Sequence, residues 1–309
     1  MVGRIVEIAD DRRHLFAHRG FMVVRDTEGE RKELGQVPLD DIAAVIANAH
    51  GLSYTNNLLV ALAERGAPFV LCGPNHNAVG MLLPIDGHHV QAKRIEAQIA
   101  ANQPMHKRLW AAIVKAKLEQ QAAALEAVGA PTAPLRALAG KVRSGDPENL
   151  EGQGARRYWG LLFGADFRRD QDGGGLNALL NYGYTILRSA TARAVVAAGL
   201  HPSLGLHHSN DANAMRLVDD LMEPFRPVVD LKVWQLNRAG ERHVTPDTKR
   251  ALVRVLYDDM QTSLGVTPVV VCMQRLATSL AQAYLGERTK LDLPLPGLPL
   301  SLAASFESE

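Results

Sequence analysis

The stretch HVQAKRIEAQIAANQ at residues 89–103, with MHKRLWAAIVKAKLEQQAAALEAV at residues 105–128, decides the fold. Both segments are long, alanine-rich and free of internal Gly or Pro, so they predict helices. Before them the pattern is different. RIVEIA (4–9), HLFAH (14–18), FMVVRD (21–26), IAAVIAN (42–48), APFVLCG (67–73) and AVGMLLPI (78–85) are short apolar runs bounded by turn signals, and they read as strands. One helix interrupts them over YTNNLLVALAERG (54–66), where Leu58, Leu59, Leu62 and Ala63 recur at helical spacing. Ser53 is placed to cap it and Gly66 to end it.

After residue 128 the helical signal continues through APLRALAGKV (133–142), NLEGQGARRYWGLLFG (149–164) and LNALLNYGYTILRSATARAVVAAG (176–199). It resumes in AMRLVDDLMEPFRPVVDLKVWQL (214–236), PDTKRALVRVLYDDM (246–260) and PVVVCMQRLATSLAQAYLG (268–286). The expected fold is therefore α+β: a small β-rich domain over residues 1–89, then an all-α domain over 90–288 with essentially no strand. Residues 289–309 alternate Pro with Leu, which excludes helix and predicts an extended, loosely packed strap, mobile or ordered by a partner.

The 309 residues are 47% hydrophobic, ample for two cores. No apolar run is long enough to cross a bilayer, and the first residues lack the basic-then-apolar order of a signal peptide, so a cytoplasmic protein away from membranes is expected. Cys72 and Cys272 sit in separate apolar runs and read as core residues, and without a CxxC pair a zinc ribbon is not expected. The net charge is only +1, but it is unevenly spread: residues 1–89 carry 8 Lys and Arg against 11 Asp and Glu, and residues 90–309 carry 26 against 22. The second part is the better anion binder, although a solvated surface accounts for the same shift.

The usual catalytic signatures, GxSxG, HExxH, GxxxxGK[ST] and a strand-linked GxGxxG, do not occur. Gly173, Gly174 and Gly175 before a helix read as a flexible connecting loop. Three places remain where polar residues interrupt the apolar helical pattern. Glu151 is followed by Gly152 and Gly154, which weaken a helix and so point to close approach by another backbone or a ligand. Arg156 and Arg157 follow and could neutralise phosphates or pair with surface acids. The loop GLHPSLGLHHSND (199–211) carries His201, which serves the turn before Pro202, and the pair His207 and His208, of which one can point inward. In RLVDDLMEPFRPVVD (216–230), Asp220 and Glu223 share a helix face, and Pro224 withholds an N–H from the carbonyl of Asp220, so the helix should bend there. A cation between the two acids would remove their repulsion; Arg216 or Arg226 could also offset it. Two carboxylates with one imidazole make an oxygen and nitrogen site suited to Mg²⁺ or Mn²⁺.

The motifs NLEGQGARRYW, LNYGYTILR, GLHPSLGLHHSN and DDLMEPFRPVVD, in this order, resemble the CRISPR-associated integrases that acquire new spacers, and the compact length is most similar to type II members. The resemblance runs to about residue 287. It implies a sandwich-like N-terminal domain, a helical catalytic domain, and a metal triad whose ligands fall on Glu151, His208 and Glu223, with Asp220 supporting. Many relatives carry Asp as the last ligand, and the doubled His207 and His208 leave a one-residue ambiguity. The activity implied is metal-dependent cutting and joining of DNA, in which the 3′ hydroxyls of a short duplex attack the ends of a CRISPR repeat. The partners implied are DNA, a second copy in a homodimer, a small adaptation protein completing a heterohexamer, and the RNA-guided effector nuclease. Arg156, Arg157, Arg188, Arg193, Lys249 and Arg250 are the candidate phosphate contacts. Two other readings use the same residues: a hydrolase of small phosphoesters with a closed pocket, and a non-enzymatic adaptor whose acids and histidines only stabilise helix packing.

Overall fold

The computed structural model describes residues 3–28, 32–74, 78–297 and 299. It divides into two compact units, Met1–His89 and Val90–Glu309.

In the first unit, β1 (Arg4–Ile8), β2 (Arg13–His18), β3 (Phe21–Asp26), β4 (Glu33–Pro38), β5 (Ile42–Ala47), β6 (Leu52–Tyr54), helix α1 (Asn56–Glu64), β7 (Phe69–Cys72) and β8 (Ala78–Leu82) follow in order. One sheet runs β1-β5-β7-β8 and the other β4-β3-β2-β6. β5 pairs in parallel with both β1 and β7. Every residue of β5 is buried, which explains its unbroken apolar run IAAVIA. Ile8, Ile42, Val45 and Phe69 from one sheet meet Leu15 and Met22 from the other, with Leu58 and Leu62 of α1, in a single core. Thr55, not Ser53, caps α1: its side chain accepts from Leu58 N, while Ser53 lies in β6 and bonds His14 Nδ1 at 2.8 Å. A hydroxyl committed to a strand is unavailable two residues upstream of the helix. β4 and β6 add two strands to the six read from sequence.

The second unit contains α2 (Gln91–Ala100), α3 (Gln103–Ala127), α4 (Ala133–Ala139), α5 (Leu150–Phe163), α6 (Leu176–Ala197), α7 (Arg216–Met222), α8 (Arg226–Arg238), α9 (Pro246–Arg254), β9 (Asp259–Thr262), β10 (Gly265–Pro268) and α10 (Val269–Tyr284). The all-α expectation for residues 90–288 is corrected here, because β9 and β10 form an antiparallel hairpin. Gly265, at φ +102°, supplies the backbone conformation that the turn needs. Helix α3, 25 residues long, packs against α4, α5 and α8. Asn102 caps it, accepting from Met105 N at 3.0 Å. At Pro224 the chain bends as its missing N–H dictates: α7 gives way to a 3-10 turn over Glu223–Phe225, and α8 starts directly after it.

The strap is not loose along its first part. Asp292 N donates to Ser279 Oγ at 2.9 Å, Leu295 N to Gln261 O at 3.0 Å, and buried Gln120 donates to Leu295 O at 2.7 Å. The described part of the strap is held by hydrogen bonds to α3, β9 and α10. Its residues 298 and 300–309 fall outside the described residues.

Helix α6 is buried along most of its length, and Gly183 lets α8 approach it: a Cβ there would overlap Val229 Cγ1. Valine is stiff at χ1 and cannot swing away. Gly183→Ala is expected to cost about 1–3 kcal/mol of stability, read as a lower urea midpoint with an unchanged m-value.

Candidate functional site

The first turn of α5 is fixed by two side chains on residues with left-handed backbone. Asp146 (φ 47°) accepts from Leu150 N at 2.9 Å and Glu151 N at 3.0 Å. Asn149 (φ 51°) accepts from Gly152 N at 3.1 Å. These bonds satisfy amides that a helix start leaves unpaired, and they set the position of Glu151. Gly154 then allows α3 to come close, since a Cβ there would overlap Leu118 Cδ2. At Gly154 the close approach is made by a neighbouring helix, and at Gly152 by the capping side chain of Asn149.

That approach brings in a residue the sequence reading passed over. Lys117, one position before Leu118 on α3, ion-pairs with both Glu151 and Glu223. Its side chain is 5% exposed, as is that of Glu223. Arg226 holds the other Glu223 oxygen at 2.7 Å. Burial pulls the Lys117 pKa down, but Glu223 and Glu151 outweigh it and hold it above the usual lysine value. Burial likewise pushes Glu223 up, and Arg226 and Lys117 outweigh it, leaving the carboxyl below its usual range. A signal existed in the sequence: Trp110, Ile113, Val114, Lys117 and Gln121 follow helical spacing, so Lys117 stands on the buried stripe.

The loop after α6 separates its two histidines. His207 stacks on Trp110, the rings 4.4 Å apart and 3° from parallel. His208 places Nδ1 2.6 Å from Asp220 Oδ1. Asp220, fully buried on α7, also accepts from Leu206 N at 2.6 Å, His207 N at 3.1 Å and His208 N at 3.4 Å. One carboxylate thus orders the loop and orients the His208 ring. The hydrogen bond to Asp220 raises the His208 pKa against burial, and the charges of Asp220 and Glu223 add to it. Glu223 and His208 therefore lie within electrostatic reach of each other. Beside His208 opens a cavity of about 580 Å³, lined by His106, Lys107, Trp110, His207, His208 and Arg216 among others, with no Asp or Glu among its described lining residues. The Nε1 of Trp110 and the Nε2 of His106 are buried without partners.

Among the described residues no three His, Cys, Asp or Glu side chains stand close enough together to hold a metal ion. The ammonium of Lys117 lies between the two glutamates. Their chemistry nevertheless fits a divalent cation: both carboxylates already converge on one positive charge, and Asp220 orients the His208 ring through Nδ1 as carboxylates orient metal-ligating histidines. Behind Glu223, Arg226 lies over the Tyr184 ring at 4.5 Å, and the Tyr184 hydroxyl donates to buried Asp230.

The arginines and lysine proposed for phosphate contact are divided. Arg156, Arg157 and Arg250 are exposed, Arg250 pairing with Asp247. Arg188 is committed to Asp219, through bonds of 2.8 and 3.0 Å. Lys249 is only 8% exposed and lies over the Tyr182 ring, and Arg193 is half-buried. These last three are partly or largely interior, since the helices carrying them pack on the face where they sit. Among the described residues no helix is long and apolar enough to cross a membrane.

The fold has counterparts in known proteins. The family described as CRISPR associated protein Cas1 matches residues 7–256. A "CRISPR-associated endonuclease Cas1" of Neisseria meningitidis is 37% identical over 269 residues, covering 85% of this chain and 88% of the relative. Among solved structures, "Casposase bound to integration product" superposes with a TM-score of 0.80 at 20% identity, over 95% of this chain and 94% of that one. A chain of a "Cas6-RT-Cas1--Cas2 complex" gives 0.73 at 19% identity, over 95% of this chain and 36% of that one. The chain belongs to the CRISPR-associated Cas1 family.

Two outcomes test the site's construction. Asp220→Ala removes the acceptor of three loop amides and is expected to cost about 3 kcal/mol, with exchange of the Leu206 and His207 amides accelerated about tenfold or more in hydrogen–deuterium exchange. Burial pushes the Asp230 carboxyl from 3.8 up to about 7, so the fold prefers its protonated form. Its contribution to stability is intact below about 3.8 and is lost as pH rises through about 7. Asp230→Asn should flatten that part of the stability–pH curve, measured by urea titration across the range.

Proposed function

We propose that this protein is a metal-dependent DNA endonuclease and integrase that inserts short duplex DNA into a CRISPR repeat array by transesterification. The observation that carries the reading is the convergence of Glu151 and Glu223 on one buried cation, with His208 oriented by Asp220 at the mouth of a cavity lined by cationic and aromatic groups. Family membership and the likeness to a casposase with its integration product support it.

Glu151, Glu223 and the free Nε2 of His208 would hold Mg²⁺ or Mn²⁺. Such an ion, when bound, supplies charge neutralisation at a scissile phosphate and at the oxygen leaving it. The chain's own groups do the rest. Asp220 fixes the imidazole, and Arg226 keeps Glu223 ionised in a buried position. Lys107 and Arg216 offer positive charge to a strand lying in the cavity, while the exposed His207 ring, backed by Trp110, provides a flat face on which a base can stack. Arg156, Arg157 and Arg250 are the outer phosphate contacts. In the joining step a 3′ oxygen bonds to phosphorus at the repeat boundary, the bond to the repeat's own 3′ oxygen breaks, and the proton lost by the attacking hydroxyl ends on the departing one. The number of phosphodiester bonds is unchanged, so no external energy source is needed. Water in place of the hydroxyl gives cutting by the same groups.

The assembly proposed is a homodimer with a small Cas2-type partner, completing a heterohexamer on DNA, with the RNA-guided effector nuclease as a further contact. The Cas1–Cas2 assembly named for one structural neighbour supports the small partner.

A labelled duplex and a supercoiled repeat-bearing plasmid, incubated with the protein, its partner and Mn²⁺ or Mg²⁺, test the reading. Wild-type protein should nick and join, Glu151→Ala, His208→Ala and Glu223→Ala should not, and Asp220→Asn should lose about 10- to 100-fold. A Glu223→Ala chain that joins as well as wild type overturns the assignment.

A further inference from the structure

Lys117 has no assigned part in this chemistry, yet its ammonium occupies the space between the two glutamates. We propose that Lys117 is the resident cation of the site: it holds Glu151 and Glu223 together before a divalent ion arrives, and withdraws to Gln121 when the ion binds. The inference rests on the metal-site reading given above.

Three observations carry it. The first is the charge balance: the two charges of Glu151 and Glu223 are matched by those of Lys117 and Arg226. A divalent ion added to these four groups leaves two surplus positive charges beside a lysine and a glutamate that are each only 5% exposed, which is costly unless a cation departs. Arg226 is held at Glu223 Oε1, the oxygen turned from Lys117, and its guanidinium lies over the Tyr184 ring. Lys117 is the one between the carboxylates, on a flexible four-carbon stem. The second is the division of the Glu223 carboxylate: Oε2 pairs with the Lys117 ammonium while Arg226 takes Oε1. The Lys117 partner can therefore be exchanged for a cation of higher charge without disturbing the contact to Arg226. The third is a place to go. Gln121 lies four residues further along α3, on the same face, 3% exposed, and its Oε1 is buried without a hydrogen-bond partner. Side chains on a helix lean toward its N-terminus, so the Gln121 amide lies over the turn that carries Lys117. A displaced ammonium finds there an acceptor that nothing else uses.

A lysine that merely braces the fold and one that competes with the metal give opposite signs on removal. Mn²⁺ binding to the full-length chain, measured by titration calorimetry, together with melting with and without Mn²⁺, distinguishes them. For Lys117→Met the metal-free protein should melt lower, and Mn²⁺ should bind at least about tenfold tighter and raise the melting temperature by more than in wild type. Lys117→Arg, which keeps the charge, should show no tightening. Gln121→Leu should weaken Mn²⁺ binding when Lys117 is present and have no effect in the Lys117→Met background. A Lys117→Met chain that folds only with Mn²⁺ is the same result at its limit; if it folds under neither condition, Lys117→Gln, neutral but able to donate to a carboxylate, provides the reading. Affinity that stays within twofold of wild type, or weakens, overturns the proposal. Should wild type and Glu223→Ala take up Mn²⁺ alike, the metal site itself is misassigned; should Glu223→Ala alone lose it while the neutral Lys117 variants gain nothing, only the part given to Lys117 fails.

Discussion

A single buried ammonium placed between two carboxylates sets the layout of the helical unit. A lysine charge removed from water is tolerable only when paired, so the position of Lys117 on α3 obliges the start of α5 and the turn after α7 to deliver Glu151 and Glu223 to the same point. Everything nearby serves that meeting. Asp146 and Asn149 anchor the first turn of α5, Gly154 removes the bulk that would keep α3 away, and Pro224 tightens the chain so that Glu223 turns inward while Arg226 follows to balance it.

Neighbouring residues in the histidine loop do different work because one carboxylate reaches them both. Asp220 takes the amides of Leu206, His207 and His208, which folds the loop onto α7, and its remaining capacity goes to the His208 ring. His207 lies flat on Trp110, which the His208 ring meets edge-on. The pair therefore combines an oriented nitrogen donor with an aromatic wall, and neither arrangement would survive a one-residue shift of the loop.

Much of this was legible from residue pattern, and the parts that were not have physical reasons. The strands announced themselves where burial alternates or is complete, as in IAAVIA, whereas β4, exposed along most of ELGQVP, carries no apolar period to read. Ser53 and Thr55 are equally good caps on paper; pairing of β6 with β2 decides between them. The bend at Pro224 follows from covalent structure alone and appears where expected. Glu151, Asp220 and Glu223 were visible as acids interrupting an apolar helix, but Lys117 was not, because a lysine in an alanine-rich helix usually faces water and only the register of Trp110, Ile113, Val114 and Gln121 argues otherwise. The burial of Arg188, Arg193 and Lys249 was not legible for the reverse reason: cationic side chains are turned inward by the packing of α6 and α9, which a linear pattern does not contain.

The groups that make up the site come from α3, α5, the loop after α6 and the turn after α7, spread between Lys117 and Arg226 and joined only by tertiary packing. No local segment carries more than a fragment of it. A chain still emerging during synthesis, or one partly unfolded, consequently has acids and histidines but not the assembled cluster, so any chemistry the cluster performs waits on completed folding.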